Sequence, residues 1–260
     1  MSRTVYVNGE YLPEEDAKIS IFDRGFLMAD VFYEVTSVLG GKLIDFEGHR
    51  NRLQRSLDEL HMACPVSMEE LLAIHRELVE VNEVVEGAVY LQVTRGAPAD
   101  RDFAFPDPEV TPSSLVLFTQ SKPGVADSPA SRTGIKVISI EDLRWGRRDI
   151  KTVQLLYPSM GKMMAKAAGC DDAWMVEDGQ VTEGTSNNAY IVKDGKIITR
   201  GLGHDILSGI TRAAVLRLAR ESQMTVEERG FTIDEAKDAD EAFVTSATTF
   251  VMPVVEIDGA

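Results

Sequence analysis

Ile191-Val192-Lys193-Asp194-Gly195-Lys196-Ile197-Ile198 reads as two short apolar strands joined by Asp-Gly, a pair that tolerates the positive φ angles of a tight primed turn. The same grammar recurs upstream. Val5 and Val7 alternate with polar neighbours before Asn8-Gly9 and Tyr11-Leu12, and Val38-Leu39 meets Leu43-Ile44 across Gly40-Gly41-Lys42. Antiparallel strands are therefore expected in both halves of the chain. Helical spacing appears between them: Leu53, Leu57 and Leu60 recur among charged residues from Glu47 to Met62. Ser67-Met68-Glu69-Glu70 has the form of a capping box ahead of Leu71, Leu72, Ile74, Leu78 and Val79. Further strands are expected at 87–94, 114–119, 135–140, 173–176 and 242–245, with helices at 159–168 and 211–222. The fold class is thus mixed α/β with antiparallel sheet in two lobes. Lys122 to Thr133 holds Pro123, Gly124, Ser128 and Pro129 without apolar periodicity, so it is the expected linker between lobes at 1–121 and 134–260.

Composition narrows the function. The 260 residues carry 42 Asp and Glu against 27 Lys and Arg, a net charge of −15, which repels a nucleic-acid backbone. The basic scrap Arg144-Trp145-Gly146-Arg147-Arg148 is short and ends in Asp149, which suits a local anion site better than a nucleic-acid groove. Cys64 and Cys170 form neither a disulfide framework nor a Cys-x-x-Cys pair. No apolar run reaches the length of a signal peptide or a membrane span, so a cytoplasmic setting is expected.

Few residues announce chemistry by spacing alone. His49, His61, His75 and His204 are scattered without metal-ligand spacing, mostly in or beside helices, where a solvated role is expected. Gly209-Ile210-Thr211-Arg212 opens an apolar-periodic helix with free amides and a hydroxyl, the makings of a phosphate site. A plain helix start capped by Ser208 or Thr211 is the alternative. Thr245-Ser246-Ala247-Thr248-Thr249 gathers hydroxyls where a strand ends, which makes either a second phosphate cradle or an ordinary polar turn. Glu183 lies among small polar residues, Thr182-Glu183-Gly184-Thr185-Ser186-Asn187-Asn188, between two apolar strands. A carboxylate buried there needs a partner. It is either a solvated loop acid or the acid that keeps a heteroaromatic nitrogen protonated.

Taken in order, Phe22-Asp23-Arg24-Gly25, Tyr33-Glu34-Val35, His49-Arg50-Asn51-Arg52-Leu53, Gln92-Val93-Thr94-Arg95-Gly96, Asp149-Ile150-Lys151, Thr182-Glu183-Gly184 and Gly209-Ile210-Thr211-Arg212 resemble the fold-type IV pyridoxal-phosphate enzymes, the class IV aminotransferases. Within that family the D-amino acid transaminases are the most similar. The resemblance covers essentially the whole chain, and it implies a two-lobed aminotransferase fold, pyridoxal 5′-phosphate as cofactor and a homodimer. Amino acids and 2-oxo acids are the implied substrates.

Position by position, Lys151 resembles the Schiff-base lysine, placed by this implication in the C-terminal lobe, and Arg147 and Arg148 could lower its amine's pKa by their charge. Glu183 resembles the acid facing the pyridine nitrogen, and Arg52 the phosphate-binding arginine, whose planar fork suits that ligand. Ile210 and Thr211 match the helix-end phosphate cradle, with Ser186, Asn187, Ser246, Ala247 and Thr248 as further cofactor contacts. Ala247 stands where a phosphate-binding threonine is common. Tyr33 matches a residue of the substrate pocket, and Val31 and Phe32 in Asp30-Val31-Phe32-Tyr33 replace smaller residues, adding bulk beside it. Arg101 matches the arginine that captures the substrate carboxylate. The family pairs it with a histidine two residues later, where this chain has Phe103, which cannot donate a hydrogen bond. Branched-chain L-aminotransferases, (R)-selective amine transaminases and aminodeoxychorismate lyases share the fold and stand as alternatives. In relatives roughly another helix follows the position of Ala260.

Overall fold

The computed structural model describes residues 2–260. Its backbone contacts divide the chain into two units, Met1–Ala126 with Ile150–Gln154, and Asp127–Asp149 with Leu155–Ala260. The expected linker region holds a single 3-10 turn at Val125–Asp127 and the short helix Ala130–Thr133.

In the first unit, β1 (Thr4–Val7) and β2 (Glu10–Pro13) form the expected hairpin, followed by the short helix α1 (Arg24–Met28). Next come β3 (Val31–Leu39), β4 (Lys42–Leu43), α2 (Phe46–Glu59), α3 (Met68–Val81), β5 (Glu86–Thr94) and β6 (Ser114–Ser121). The strands make one sheet in the order β2-β1-β6-β5-β3-β4. Ser67 caps α3, its hydroxyl accepting from the Glu70 amide at 3.1 Å, as the capping-box pattern predicts. Both helices press their apolar stripes on one sheet face. Leu53 and Leu57 of α2, with Leu71, Ile74 and Leu78 of α3, meet Phe32, Val89, Leu91, Val93, Leu115 and Leu117 there.

In the second unit, α4 (Ala130–Thr133), β7 (Ile135–Glu141), α5 (Leu156–Ala167), β8 (Asp172–Glu177), β9 (Gln180–Gly184), β10 (Asn188–Lys193) and β11 (Lys196–Thr199) come first. Then follow α6 (Ile210–Glu221), β12 (Thr225–Glu228), α7 (Ile233–Lys237), β13 (Glu241–Ser246) and β14 (Phe250–Ile257). All eight strands join in one mixed sheet, β12-β11-β10-β13-β14-β7-β8-β9. The period-two alternation of its strands feeds both faces. Trp174, Ala189 and Ile191 pack with Phe231 and with Ala236 of α7, while Ala173 and Met175 meet Ala165 of α5, and Tyr190 and Ile197 meet Leu216 of α6. The β10–β11 turn is as read from Asp194-Gly195, with φ of 50° and 72°.

Strand β14 escapes pattern reading because Pro253 interrupts it, and proline lacks the amide a central ladder needs. It nevertheless lies inside the sheet, antiparallel to β13 and parallel to β7, with an irregularity in the β7 pairing between Val254 and Glu256. Leu57, fully buried beneath α2, gives a direct test of the first core. Leu57→Ala should cost about 3 kcal/mol, read as a lower urea midpoint.

Candidate active site

Lys151 is set by β3. The Tyr33 amide donates to the Lys151 carbonyl at 2.9 Å, and Thr152 bridges Phe32 in antiparallel fashion, so Ile150–Gln154 runs as an extra extended segment along the start of that strand. This pairing, rather than sequence position, is why the segment belongs to the first unit, and not to the C-terminal lobe in which Lys151 is expected from sequence. The Lys151 ammonium lies 4.3 Å from the centre of the Tyr33 ring, within cation–π range. It is half-buried, and no described residue offers it a carboxylate. Behind Tyr33 the rings of Tyr90 and Phe118 continue the stack, at 5.5 Å and 4.7 Å between centroids.

Alternation along β3 separates the residues named from sequence. Tyr33 faces Lys151, whereas Phe32 is 1% exposed and packs in the first core with Leu53 and Leu57. Val31 is fully buried as well. Phe32 thus adds its bulk to the core side, whereas Val31 shares the strand face of Tyr33.

Glu34, two residues on, shares the core-side face with Phe32, and its role is not visible in the sequence. Its Oε1 and Oε2 accept from Nε and Nη2 of Arg52, both at 2.7 Å, and Oε2 is 2.7 Å from Nδ1 of His49. All three side chains are buried. Burial alone would raise the Glu34 carboxyl, but the charge and hydrogen bonds of Arg52, helped by His49, hold it down at about 2. Arg52 is therefore a neutralised, geometrically fixed guanidinium. His49 and His75 are also corrected, from solvated helix positions to buried ones: His75 Nδ1 lies 2.7 Å from the Leu71 carbonyl oxygen, and burial pushes its pKa down to about 4. Arg101 sits in the exposed 96–113 loop with its guanidinium 4.9 Å from the Phe103 ring centre.

In the second unit Glu183 finds its partner in Arg144, whose Nη1 donates to Oε1 at 2.6 Å. The other oxygen accepts from the Asn188 amide at 3.1 Å and the Leu207 backbone amide at 3.2 Å. Burial pushes the Glu183 carboxyl above the ordinary Glu value, and Arg144 reverses that only in part. Arg144 is itself gripped by Asp142 through Nε at 2.9 Å and Nη2 at 2.6 Å. Arg147 forks onto Asp149 and Arg148 onto Glu177, so each of these charges has a carboxylate partner.

Asn188 ties this acid to the helix end. Its amide also donates to the Leu207 carbonyl at 2.9 Å, and Gly209 packs so tightly against it that any Cβ at 209 would collide with the Asn188 Oδ1. Gly209, rather than Ser208 or Thr211, is the N-cap of α6, and it makes no side-chain cap bond. The first amides, those of Ile210 and Thr211, find no side-chain acceptor in the cap residue itself. Register completes the cluster: Asn188 pairs with Thr245 across β10 and β13, which brings the Ser246-Ala247-Thr248 turn to the same end of the sheet. Within that turn Ser246 Oγ accepts from the Thr249 amide at 3.1 Å. Asn187 is turned elsewhere, donating to the buried Asp172 at 2.6 Å, and Ser186 is exposed. Asn188, like Glu34, is thus a residue that sequence reasoning missed, and its apolar flank Ala189-Tyr190-Ile191, which makes it the first residue of a buried strand, is the signal that could have found it.

The family model for amino-transferase class IV matches residues 31–257. The chain belongs to the class IV aminotransferases. It is 38% identical over 257 residues to the D-alanine aminotransferase of Staphylococcus aureus strain N315, covering 98% of this chain and 89% of that one. The D-alanine aminotransferase of Bacillus licheniformis is 39% identical over 257 residues, with 98% and 88% covered. Among solved structures, the T.th. branched-chain amino acid aminotransferase complexed with N-(5′-phosphopyridoxyl)-L-glutamate superposes with a TM-score of 0.86 at 26% identity, covering 99% of this chain and 86% of that one. The Escherichia coli branched-chain enzyme does so at 0.87 and 20% identity, with 100% and 87% covered, a likeness of fold. Class IV aminotransferases depend on pyridoxal phosphate.

The Glu34 carboxyl titrates lower in the folded protein than in the unfolded chain, so its stabilisation is complete above the unfolded value of about 4.3 and is lost as pH falls toward about 2. Urea midpoints of the wild type should accordingly drop more steeply between about pH 5 and pH 2 than those of Glu34→Gln.

Proposed function

We propose that this class IV aminotransferase moves the amino group of a D-amino acid to a 2-oxo acid, with pyridoxal 5′-phosphate held covalently by Lys151. The observation that carries the reading is the Lys151 amine, half-buried against the Tyr33 ring with no carboxylate among the described residues to fix it as a structural ion pair. The choice of D-amino acids follows the name borne by the relatives at 38% and 39% identity.

The residues present suit a phosphorylated pyridine aldehyde. Lys151 offers the amine, α6 an N-terminus whose cap residue is Gly209, and Glu183 a buried carboxylate with one oxygen on Arg144. When bound, the cofactor supplies the electron sink that makes the substrate's α-hydrogen acidic. Lys151 Nζ, released when the substrate's amine displaces it, would carry that proton from the α-carbon to the cofactor's C4′, and in the opposite direction in the return half of the cycle. Glu183 would keep a proton on the ring nitrogen, and Arg144 and Asn188 keep its carboxylate aimed. Arg52, held flat by Glu34, takes the phosphate with its guanidinium. On the second unit, the Ile210 and Thr211 amides and the Ser246-Ala247-Thr248 turn offer further donors to it. Tyr33 lines the substrate side of Lys151, and Arg101 takes the substrate carboxylate.

A homodimer in the cytoplasm completes the proposal. Leu156, Met160, Met163 and Met164 form an exposed apolar stripe along α5, opposite its buried Pro158, Gly161 and Ala165, which favours burial against another chain. No described helix is long and apolar enough to cross a membrane, both cysteines are free, and the charge of −15 argues against a nucleic-acid partner.

D-alanine, L-leucine and (R)-phenylethylamine should be compared side by side, and D-alanine is expected to be turned over fastest; no turnover of it would remove the substrate assignment. Borohydride reduction followed by peptide mapping should find the cofactor on Lys151, and Lys151→Ala should abolish turnover.

A further inference from the structure

Arg24 is 3% exposed, yet its guanidinium is spent almost wholly on the backbone of another loop. Nη1 donates to the carbonyls of Asp102 at 2.5 Å and Ala104 at 3.1 Å, and Nη2 reaches that of Phe103 at 3.5 Å. Nε donates to Asp30 at 2.7 Å, and the same Asp30 oxygen accepts from Nε of Arg95 at 2.8 Å. Arg95 in turn lies over the Phe105 ring, 3.6 Å from its centre, and donates to the Leu60 carbonyl at 2.8 Å. Two buried cations on one carboxylate leave a surplus positive charge, and the carbonyls of residues 102 to 104 absorb it. The loop that carries Arg101 is thereby pinned by its backbone, immediately after that arginine. Phe103, 79% exposed, buries almost nothing, and its ring lies under the Arg101 guanidinium at 4.9 Å.

We infer that Arg24 is a positioning residue which fixes the Asp102–Ala104 backbone, and that Phe103 is the aromatic platform which aims Arg101 at the substrate carboxylate. A face that attracts a cation replaces a donor that would have touched the carboxylate directly. Capture of the carboxylate falls to Arg101 alone, so its orientation limits affinity for every carboxylate-bearing substrate. This rests on the proposed role of Arg101, and the experiment separates the two.

The holoenzyme and its variants are assayed with D-alanine, recording KM, kcat and cofactor affinity. Arg101→Ala should raise KM at least tenfold; an unchanged KM removes the carboxylate role of Arg101 and the inference with it. Given that rise, Phe103→Leu, a surface change that leaves the fold intact, should raise KM about threefold, with kcat and cofactor affinity unchanged and with Phe103→Trp restoring it. Arg24→Lys, which cannot span the carbonyls, should raise KM further, and adding Phe103→Leu to it should have little extra effect. A wild-type KM in Phe103→Leu overturns the inference while the role of Arg101 stands. So does an Arg24→Lys variant whose kcat and cofactor affinity fall as its KM rises.

Discussion

A strand must give alternate side chains to opposite faces, and β3 turns that constraint into the layout of the first unit. Phe32 enters the core, Tyr33 faces Lys151, and Glu34 returns to the helix side to hold Arg52 and His49. Slipping the strand by one residue would put a carboxylate against the amine and a phenol in the core. The ladder with β5 runs unbroken from Val31–Thr94 to Leu39–Glu86, and the Tyr33 amide also anchors the Lys151 segment, so backbone bonds hold the register on both edges.

Buried charge follows one rule in three places: an enclosed carboxylate meets an arginine and at least one further donor. Glu34 has Arg52 and His49, Glu183 has Arg144 and Asn188, and Asp30 has Arg24 and Arg95. Such sets add little net stability, because desolvation offsets most of the attraction, but breaking one strands a charge. Their contribution is geometric. A guanidinium pinned by a carboxylate keeps its plane in a defined direction, which suits chemistry that tolerates little misplacement.

Much of this was legible in the sequence. The three hairpins, both longer helices of the first unit and the class of fold follow from period, caps and Gly-containing turns, which are local properties of neighbouring residues. The need of Glu183 for a partner could be deduced, but Arg144 could not be chosen, since the pairing joins residues thirty-nine positions apart. Glu34 and Asn188 were hidden for a related reason: each lies inside a strand whose apolar pattern explains it without any further role. Arg24, on the short helix that precedes β3, reads as an ordinary charged residue until the loop at 102–104 closes over it.

The position of β14 bears on how the second unit is made. Without it, the eight-stranded sheet is two smaller sheets, β12-β11-β10-β13 and β7-β8-β9, each with an unsatisfied inner border. Residues 250–257 act as a keystone between them, satisfying both borders at once by pairing antiparallel with β13 and parallel with β7. Pro253, opposite Phe243 of β13 and without an amide to donate, is the position where that keystone holds the ladder least.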